Sequence, residues 1–409
     1  MAVIPEILNK TSVDEIFRQV EIDEALWFLS NFPSKTHPEE IISWLIYVGD
    51  KGMAPVIRRG TQSPNWKGDG LYEMMMRGAL ISEKIDFSEE DINKCQAKDP
   101  LRKQAAEYVI LEKTEELANR NNRRTDWLAS QIFFNNGIVS YRDKFGTVWN
   151  LDYQIPESHI VPDLGVNREW GTGSARTPLQ DIKDMKRRIK LDSGGKVTKM
   201  FVNSRTITNR LFADEKIQAL LQNNAFSVGP NLLTQTNEAL SKYLDNTEIV
   251  EYDEYIPYSM NLVSRIDASN YIVDEPYILK PGTEVKFMRT DDTGLKLFQE
   301  ELNVITNVNV VNGQITLETP LIKTFDQRDD KIRAIIPFLP DDRVVLFAEK
   351  AGGKKVMSWI DAPVGIPTKY GLQSKTWINT DPDVVFTRAQ RLGLWALYNN
   401  QCFGVIDVR

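Results

Sequence analysis

The sequence is short of the residues on which catalytic and metal sites most often depend. Its 409 residues include two histidines, His37 and His159, and two cysteines, Cys95 and Cys402, which lie far apart. Histidine is the usual general base and a common metal ligand, and closely spaced cysteines mark zinc or redox sites. The scarcity of both therefore predicts no metal site and no cofactor, and it indicates a protein made in a reducing cytoplasm.

Long apolar runs and enzyme motifs are missing as well. The longest apolar stretches, Ile41–Val48 and Arg333–Leu339, are far shorter than the roughly 20 residues that cross a bilayer, so no membrane contact is expected. Gly171–Gly173, Gly195-Lys196 and Gly353-Lys354 each lack the rest of a nucleotide-binding motif and predict turns. We therefore predict that the protein is not an enzyme.

The chain does contain a large hydrophobic fraction and an acidic balance. Hydrophobic residues make up 42% of the sequence, enough for a real core, and the net charge is −7 at pH 7. A negative net charge argues against a protein whose task is to bind nucleic acid by neutralising phosphates. It is compatible with a protein that lines a container filled with DNA.

The N-terminal part predicts two extended features. Val13–Leu29 is acidic and has the spacing of a short amphipathic helix, or of an arm that lies on a partner. Gly52–Gly78 is rich in glycine and leans basic, and strand-like pieces at Val56–Arg58 and Leu71–Met76 flank a turn-rich tip. This pattern is typical of a long hairpin that projects from a body.

A single long helix is predicted over Asp99–Phe134. Asp99 is a suitable N-cap, Pro100 suits the first helical position, and Asn136-Gly137 provides the end. About 35 residues at 1.5 Å each give a length of roughly 50 Å. A helix of that length is unusual in a compact enzyme domain but natural as the backbone of a flat, elongated protein.

The second half predicts a compact α/β region and then mostly β structure. A helix opened by Thr177-Pro178 ends at Gly194-Gly195, and Val197–Asn203 predicts a buried strand. From Thr247 onward, short runs rich in valine, isoleucine and threonine alternate with turns. Asn312-Gly313 between two apolar runs is the strongest hairpin signal in the chain.

Several stretches together resemble the major capsid protein of phage lambda and its relatives, the capsid protein E family. The resemblance runs from about Pro55 to Asn224. The segments that carry it are Arg123–Val139, Asp152-Tyr153, Trp170, Thr177–Ile182, Ser193–Lys196 and Asn209–Leu211.

This resemblance implies an α+β fold of the HK-97 type, with a possible β-rich insertion. The implied parts are an N-terminal arm (1–50), an extended loop (51–85), a peripheral domain (86–165) with a spine helix at 99–135, an axial domain (166–274), a β-rich insertion (275–325), and C-terminal β segments (326–409) that complete the peripheral and axial domains.

The function implied is that of a major capsid protein of the virion, which self-assembles in the host cytoplasm as pentamers and hexamers around double-stranded DNA. Its expected partners are itself, a scaffold, a portal, possibly a decoration protein, and packaged DNA bound non-specifically at the inner surface. The predicted inter-subunit contacts pair the basic loop with an acidic spine helix and place an acidic arm under another neighbour. They are Arg58, Arg59, Trp66, Lys67, Glu112, Glu115, Glu116, Asp14, Glu15 and Trp27.

Three alternatives stay open at this point. One is an encapsulin-like shell protein, and another is a phage tail or baseplate protein. The third is a carbohydrate-active or hydrolytic enzyme whose β-rich C-terminal half builds a cleft lined by Asp341, Asp342 and Asp361.

Overall fold

The computed structural model describes residues 8, 10–48, 70–96, 98–142, 148–171, 173, 175–218, 232–273, 279, 282–290, 297–309, 312, 314–322, 325, 330–365, 368–380 and 383–408. Its helices are α1 Lys10–Gln19, α2 Trp27–Asn31, α3 Glu89–Cys95, α4 Pro100–Phe134, α5 Pro178–Ser193, α6 Ser204–Thr206 (followed by a π-helical turn, Ile207–Leu211) and α7 Leu232–Tyr243, with a short 3-10 turn at Glu157–His159.

Its strands are β1 Ser34–Thr36, β2 Ile41–Val48, β3 Gly70–Arg77, β4 Ala79–Ser88, β5 Ile138–Arg142, β6 Val148–Asp152, β7 Ile160–Val161, β8 Lys199–Val202, β9 Glu248–Glu251, β10 Tyr255–Arg265, β11 Asn270–Val273, β12 Glu284–Thr290, β13 Leu297–Asn309, β14 Gln314–Leu317, β15 Asp330–Pro337, β16 Arg343–Phe347, β17 Lys350–Ala351, β18 Lys354–Lys355, β19 Met357–Asp361, β20 Gln373–Thr380, β21 Asp383–Leu397 and β22 Phe403–Asp407.

The long helix predicted from the sequence is confirmed as α4, which has 35 residues. The Asp99 side chain accepts a hydrogen bond of 3.1 Å from the backbone N–H of Leu101, which satisfies one of the free donors at the helix start. Buried residues then recur at steps of three and four, as at Ile110, Thr114 and Leu117. This spacing keeps one face of the N-terminal part of α4 against the core and leaves the other exposed, whereas from Asn121 to Phe134 Arg123 is the one exposed residue.

The chain divides into two compact units, and the first comprises Met1–Glu251 with Asp341–Arg409. One of its sheets has β21 between β20 and β4, with β19 and β1 alongside, and it packs against α4 and α1. A second five-stranded sheet has the order β7-β22-β16-β8-β9 and packs against α5. An aromatic cluster that includes Phe28, Phe133, Phe201 and Phe347 fills the core beside this second sheet.

Part of the capsid-like sequence motif has a simple structural reason. Trp170 and Asp181 are both buried, and the indole N–H of Trp170 donates a 3.0 Å hydrogen bond to the Asp181 carboxylate. Arg168 pairs with the same carboxylate, so the buried charge is compensated. The motif therefore fastens the start of α5 to the segment before it. Gly194 ends α5 with a φ of 66°, a conformation that favours glycine.

The second unit, Tyr252–Pro340, is a closed barrel of strands in the order β10-β11-β14-β13-β12-β15. Asn309 pairs with Gln314, which confirms the hairpin predicted at Asn312-Gly313. The unit is wider than the β-rich insertion expected at 275–325. It needs β10, β11 and β15 because pairing of β10 with β15, from Tyr255 opposite Pro337 onward, closes the barrel.

Candidate functional site

The base of the projecting hairpin differs from the sequence-based prediction. Leu71–Met76 lies in β3, a strand as predicted, but β3 pairs with β2, so Ile41–Val48 is the first strand of the hairpin. The resemblance implies that Ile41–Val48 belongs to the N-terminal arm (1–50). The strand predicted at Val56–Arg58 lies outside the described residues, as do Arg58, Arg59, Trp66 and Lys67.

The β2–β3 base is attached firmly to its own subunit. The indole N–H of Trp44 donates to the Leu397 carbonyl at 2.9 Å, and the backbone N–H of Tyr47 donates to the Tyr398 carbonyl at 2.8 Å. The amide of Asn400 donates to the Tyr72 hydroxyl at 2.7 Å. The chain that continues from this base therefore starts from a fixed platform.

The other side of this platform exposes several large apolar side chains. Successive strand residues point to opposite faces, and Ile42, Trp44 and Ile46 occupy the buried one. The outward side chains, which we call the outer hairpin face, are between 43% and 65% exposed. They are Ile41, Leu45, Tyr47 and Met75. Glu73 and Arg77 lie opposite Leu45 and Ile41 on the same face, so exposed apolar side chains stand here beside charged ones, a mixture that suits a protein interface with a polar rim. The sequence signal was the largely apolar run Ile41–Val48, broken by Ser43 alone, which indicates a strand that is covered on both faces.

The outward face of α4 carries the predicted acidic residues. Glu112, Glu115 and Glu116 are all exposed, and within the described ranges none of them takes part in an ion pair. Tyr108 and Leu101, nearer the helix start, are also exposed. These glutamates are therefore available to a basic partner.

The first part of the acidic segment that begins at Val13 lies in helix α1, one of its two predicted forms, and α1 packs on its own subunit. Val13 and Phe17 of α1 are buried against Leu117 and Ala118 of α4. Asp14 accepts hydrogen bonds from the backbone N–H of Ser374 (3.2 Å), the Ser374 hydroxyl and Lys369 Nζ (3.2 Å). Burial alone would raise the pKa of Asp14, but the bonds from Ser374 and Lys369 outweigh burial and lower that pKa. Asp14 thus attaches α1 to the Lys369–Ser374 segment of the same subunit, while the neighbouring Glu15 stays exposed.

Trp27 is also placed differently from the prediction. Its side chain is 9% exposed and lies edge-on to Phe28, Phe32 and Phe201, with ring centroids 4.8–5.9 Å apart. It belongs to the core of its own subunit and has little surface left for a neighbour. Trp44 is a core residue as well.

The carboxylates of the enzyme alternative each bind their own partners. Asp361 is buried and accepts from Arg391 Nε at 2.8 Å and from the Trp359 indole at 2.6 Å. Asp342 pairs with Arg210 at 2.7 Å, and Asp341 accepts from the Asn203 amide at 2.5 Å. Because these bonds occupy the carboxylates in structural contacts, they do not form a cleft with free acids. Among the described residues, no group of three or more His, Cys, Asp or Glu could hold a metal ion.

Comparison with known proteins agrees with these features. Residues 13–266 match the family model described as phage major capsid protein E. The chain is similar to the protein assigned as a prophage capsid protein of E. coli CFT073, with 14% identity, a TM-score of 0.54 and coverage of 98% of this chain and 99% of that one. It is also similar to the capsid protein of Staphylococcus phage Andhra, with 11% identity, a TM-score of 0.42 and coverage of 99% and 88%.

A comparison with curated protein sequences gives no match. No helix in the described part of the chain is long and apolar enough to cross a membrane. The family match favours a phage capsid over the encapsulin-like and tail alternatives, and the α+β fold is of the HK-97 capsid type. The chain therefore belongs to the phage major capsid protein E family, as a structural protein of the head shell.

Proposed function

We propose that this capsid protein assembles as pentamers and hexamers into an icosahedral shell that encloses the double-stranded DNA of a phage. The observation that carries the proposal is the match of residues 13–266 to a major capsid protein family. Assembly takes place in the host cytoplasm with a scaffold and a portal, and a decoration protein is a further candidate partner. The role is structural, without catalysis.

The proposed division of labour follows the parts implied by the family. The extended loop expected at 51–85 reaches a neighbouring subunit through the segment between β2 and β3, since β4 pairs with β21 of its own subunit. The long α4 is the spine of a peripheral domain at 86–165. Of the axial domain expected at 166–274, the part up to Glu251 contributes that domain, because β10 and β11 belong to the barrel. The C-terminal segment after the barrel returns to complete both domains, as β16, β21 and β22 do by pairing with earlier strands.

The proposed inter-subunit contact places the basic loop of one subunit across α4 of the next. Arg58, Arg59 and Lys67 would face the exposed glutamates of α4, with Trp66 as the apolar anchor. A single exposed ion pair contributes only about 0–1 kcal/mol. Repetition over the many identical contacts of a shell makes such weak pairs sufficient. The outer hairpin face lies at the base of this loop and would be covered in the same contact.

Electron microscopy of the purified protein, together with sedimentation, tests the proposal. We expect closed shells, or a ladder of pentamers, hexamers and sheets. In a second experiment, the protein is co-expressed with the scaffold of its own phage. If the protein stays a monomer or dimer when its scaffold is present, the capsid proposal is wrong.

Charge exchange tests the loop contact separately. Replacing Glu112, Glu115 and Glu116 by Lys should prevent assembly but leave the monomer folded, because all three side chains are exposed. Adding Arg58→Glu, Arg59→Glu and Lys67→Glu to that variant should restore shells. The single substitution Trp66→Ala should leave a folded monomer that assembles poorly. Shells of normal yield from the Lys variant would contradict the contact.

A further inference from the structure

Three cations form a row across the sheet that packs on α4. Arg388 of β21 lies opposite Lys375 of β20 on one side and opposite Lys84 of β4 on the other. The neighbours of Arg388 along the strand, Thr387 and Ala389, are buried on the helix side, so the row points away from the helices. Like charges directly opposite each other destabilise a sheet. The row therefore calls for a counter-charge.

Within the described part of this sheet, no ion pair supplies one. Its ion pairs join Glu83 to Arg120 and Asp361 to Arg391, and neither pair includes a member of the row. On the outward face of the three strands, Asp86 in the next row is the one carboxylate among the described residues. Arg388 Nε is buried and has no hydrogen-bond partner, so an external anion would meet the outer nitrogens of the guanidinium.

Two stacked rings support the row from one side. Trp377 and Phe386 lie in the next row with ring centroids 5.5 Å apart and planes 24° apart. Lys84 Nζ is 4.3 Å from the Phe386 centroid, and the Arg388 guanidinium carbon is 5.9 Å from the Trp377 centroid. These cation–π contacts fix the side chains of Lys84 and Arg388 above the sheet. The charges are thus prearranged for an anion.

We propose that this row, Lys84–Arg388–Lys375, binds the phosphates of duplex DNA, an inference that rests on the proposed enclosure of a DNA genome. Strands lie about 4.8 Å apart, so the row spans about 10 Å. B-DNA presents about one negative charge per 1.7 Å of its axis, so a single face of a duplex can neutralise all three cations. Ser82 and Gln373 on the same face add neutral groups that can bond phosphate oxygens.

An acidic segment of another subunit is the rival occupant, and the face is poorly suited to it. Protein interfaces have an apolar core surrounded by a polar rim. Here the two rings that could form such a core are partly buried and have cations over their faces. A polyanion needs no apolar core, because neutralisation and counterion release supply its affinity. Although the whole chain has a net charge of −7, the row is a locally positive surface that can bind DNA.

The test uses the full-length, unassembled protein and a labelled duplex of about twenty base pairs, with binding measured by fluorescence anisotropy over a series of KCl concentrations. The test variant combines Lys84→Gln, Lys375→Gln and Arg388→Gln. The matched control removes three exposed cations of α5 by Lys183→Gln, Arg187→Gln and Lys190→Gln. We expect the test variant to lose at least about ten-fold in affinity, with the salt slope reduced by about 2.7, or about 0.9 per phosphate contact.

The melting temperature separates this role from a structural one. Because the row consists of like charges, its removal should leave the melting temperature unchanged or raise it. The double variant Lys84→Gln with Lys375→Gln, which changes exposed side chains alone, should show about two thirds of the loss in slope. Equal DNA binding by wild type and test variant, or an equal loss in the α5 control, overturns the proposal. So does failed shell assembly with unchanged DNA binding, which would assign the row to a neighbouring subunit. Shell formation itself is scored separately by electron microscopy.

Discussion

Asp14 shows how one carboxylate can decide where an N-terminal segment lies. It bonds Ser374 and Lys369 on one side of α1, while Val13 and Phe17 are buried against α4. The helix is therefore attached both by apolar packing and by charge-assisted hydrogen bonds, which are stronger than neutral ones.

Asp14→Asn tests this attachment. We expect the free energy of unfolding at pH 7 to fall by about 1 kcal/mol, a discounted value because the site is partly exposed. The folded-state pKa of Asp14 is lowered, so its contribution is complete above its ordinary pKa of 3.8 and is lost as the pH falls through the folded-state value. Urea unfolding over a pH series should thus show wild type and variant converging in acid. Glu15→Gln, at an exposed neighbouring position, is the control and should change little.

A buried pair should respond far more strongly than an exposed one. Asp361→Asn leaves the Arg391 guanidinium buried without its carboxylate, which we expect to cost about 3–5 kcal/mol. Glu90→Gln breaks the exposed pair with Lys94 and should change the free energy of unfolding little, because solvent screens that pair. Chemical denaturation of both variants measures the contrast. Similar losses of unfolding free energy in the two variants would contradict the burial of the Asp361–Arg391 pair.

Residue type did not predict location at Trp27. It was expected at an interface, where tryptophan is a common anchor, but its side chain lies in the core of its own subunit. Burying the apolar part of the indole lowers the free energy at any surface that excludes water. The sequence does not say whether a neighbouring subunit or Phe201 of the same chain provides that surface.

At the level of elements, local signals determined which predictions succeeded. The α4 helix and the Asn312-Gly313 hairpin were predictable because cap, period and turn residues lie within the segments themselves. The pairing of β2 with β3 was not, because Ile41–Val48 is apolar on both faces and its alternation was hidden. The row Lys84–Arg388–Lys375 was equally hidden, since it exists only once three distant strands are in register.

The two faces of β2 make a sharp experiment, because adjacent residues point to opposite sides. Leu45→Lys changes the outer hairpin face opposite Glu73, so we expect a folded monomer with normal melting that fails to form shells. Ile46→Lys places an ammonium group in the core and should unfold the protein or lower its melting temperature sharply. Circular dichroism and electron microscopy distinguish the outcomes. Normal shells from Leu45→Lys would mean that the outer hairpin face is not an assembly surface.

For the whole molecule, the inserted barrel has its own core and its own closure. Its interior is filled by buried residues such as Tyr271, Phe287 and Phe325, and the strands that carry its two ends pair directly. The Phe338 N–H donates to the Glu254 carbonyl at 2.7 Å next to that pairing. Barrel closure was not predictable from the sequence, since β10 and β15 are separated by most of the unit. The contacts that define the barrel are nonetheless internal, which is the requirement for an independent folding unit.

Because each unit has its own core, we expect the barrel and the other unit to unfold in separate transitions. All nine tryptophans lie outside Tyr252–Pro340, so tryptophan fluorescence reports on one unit alone. Phe287→Ala should cost the barrel about 3–5 kcal/mol. Amide hydrogen exchange should therefore accelerate in β10, β12 and β15 of the full-length variant, while the fluorescence transition in urea stays where it is. Phe133→Ala, in the core of the other unit, should do the reverse. If Phe287→Ala moves both transitions together, the two units form one cooperative structure, and the barrel is a structural part of the shell subunit instead of a separable insertion.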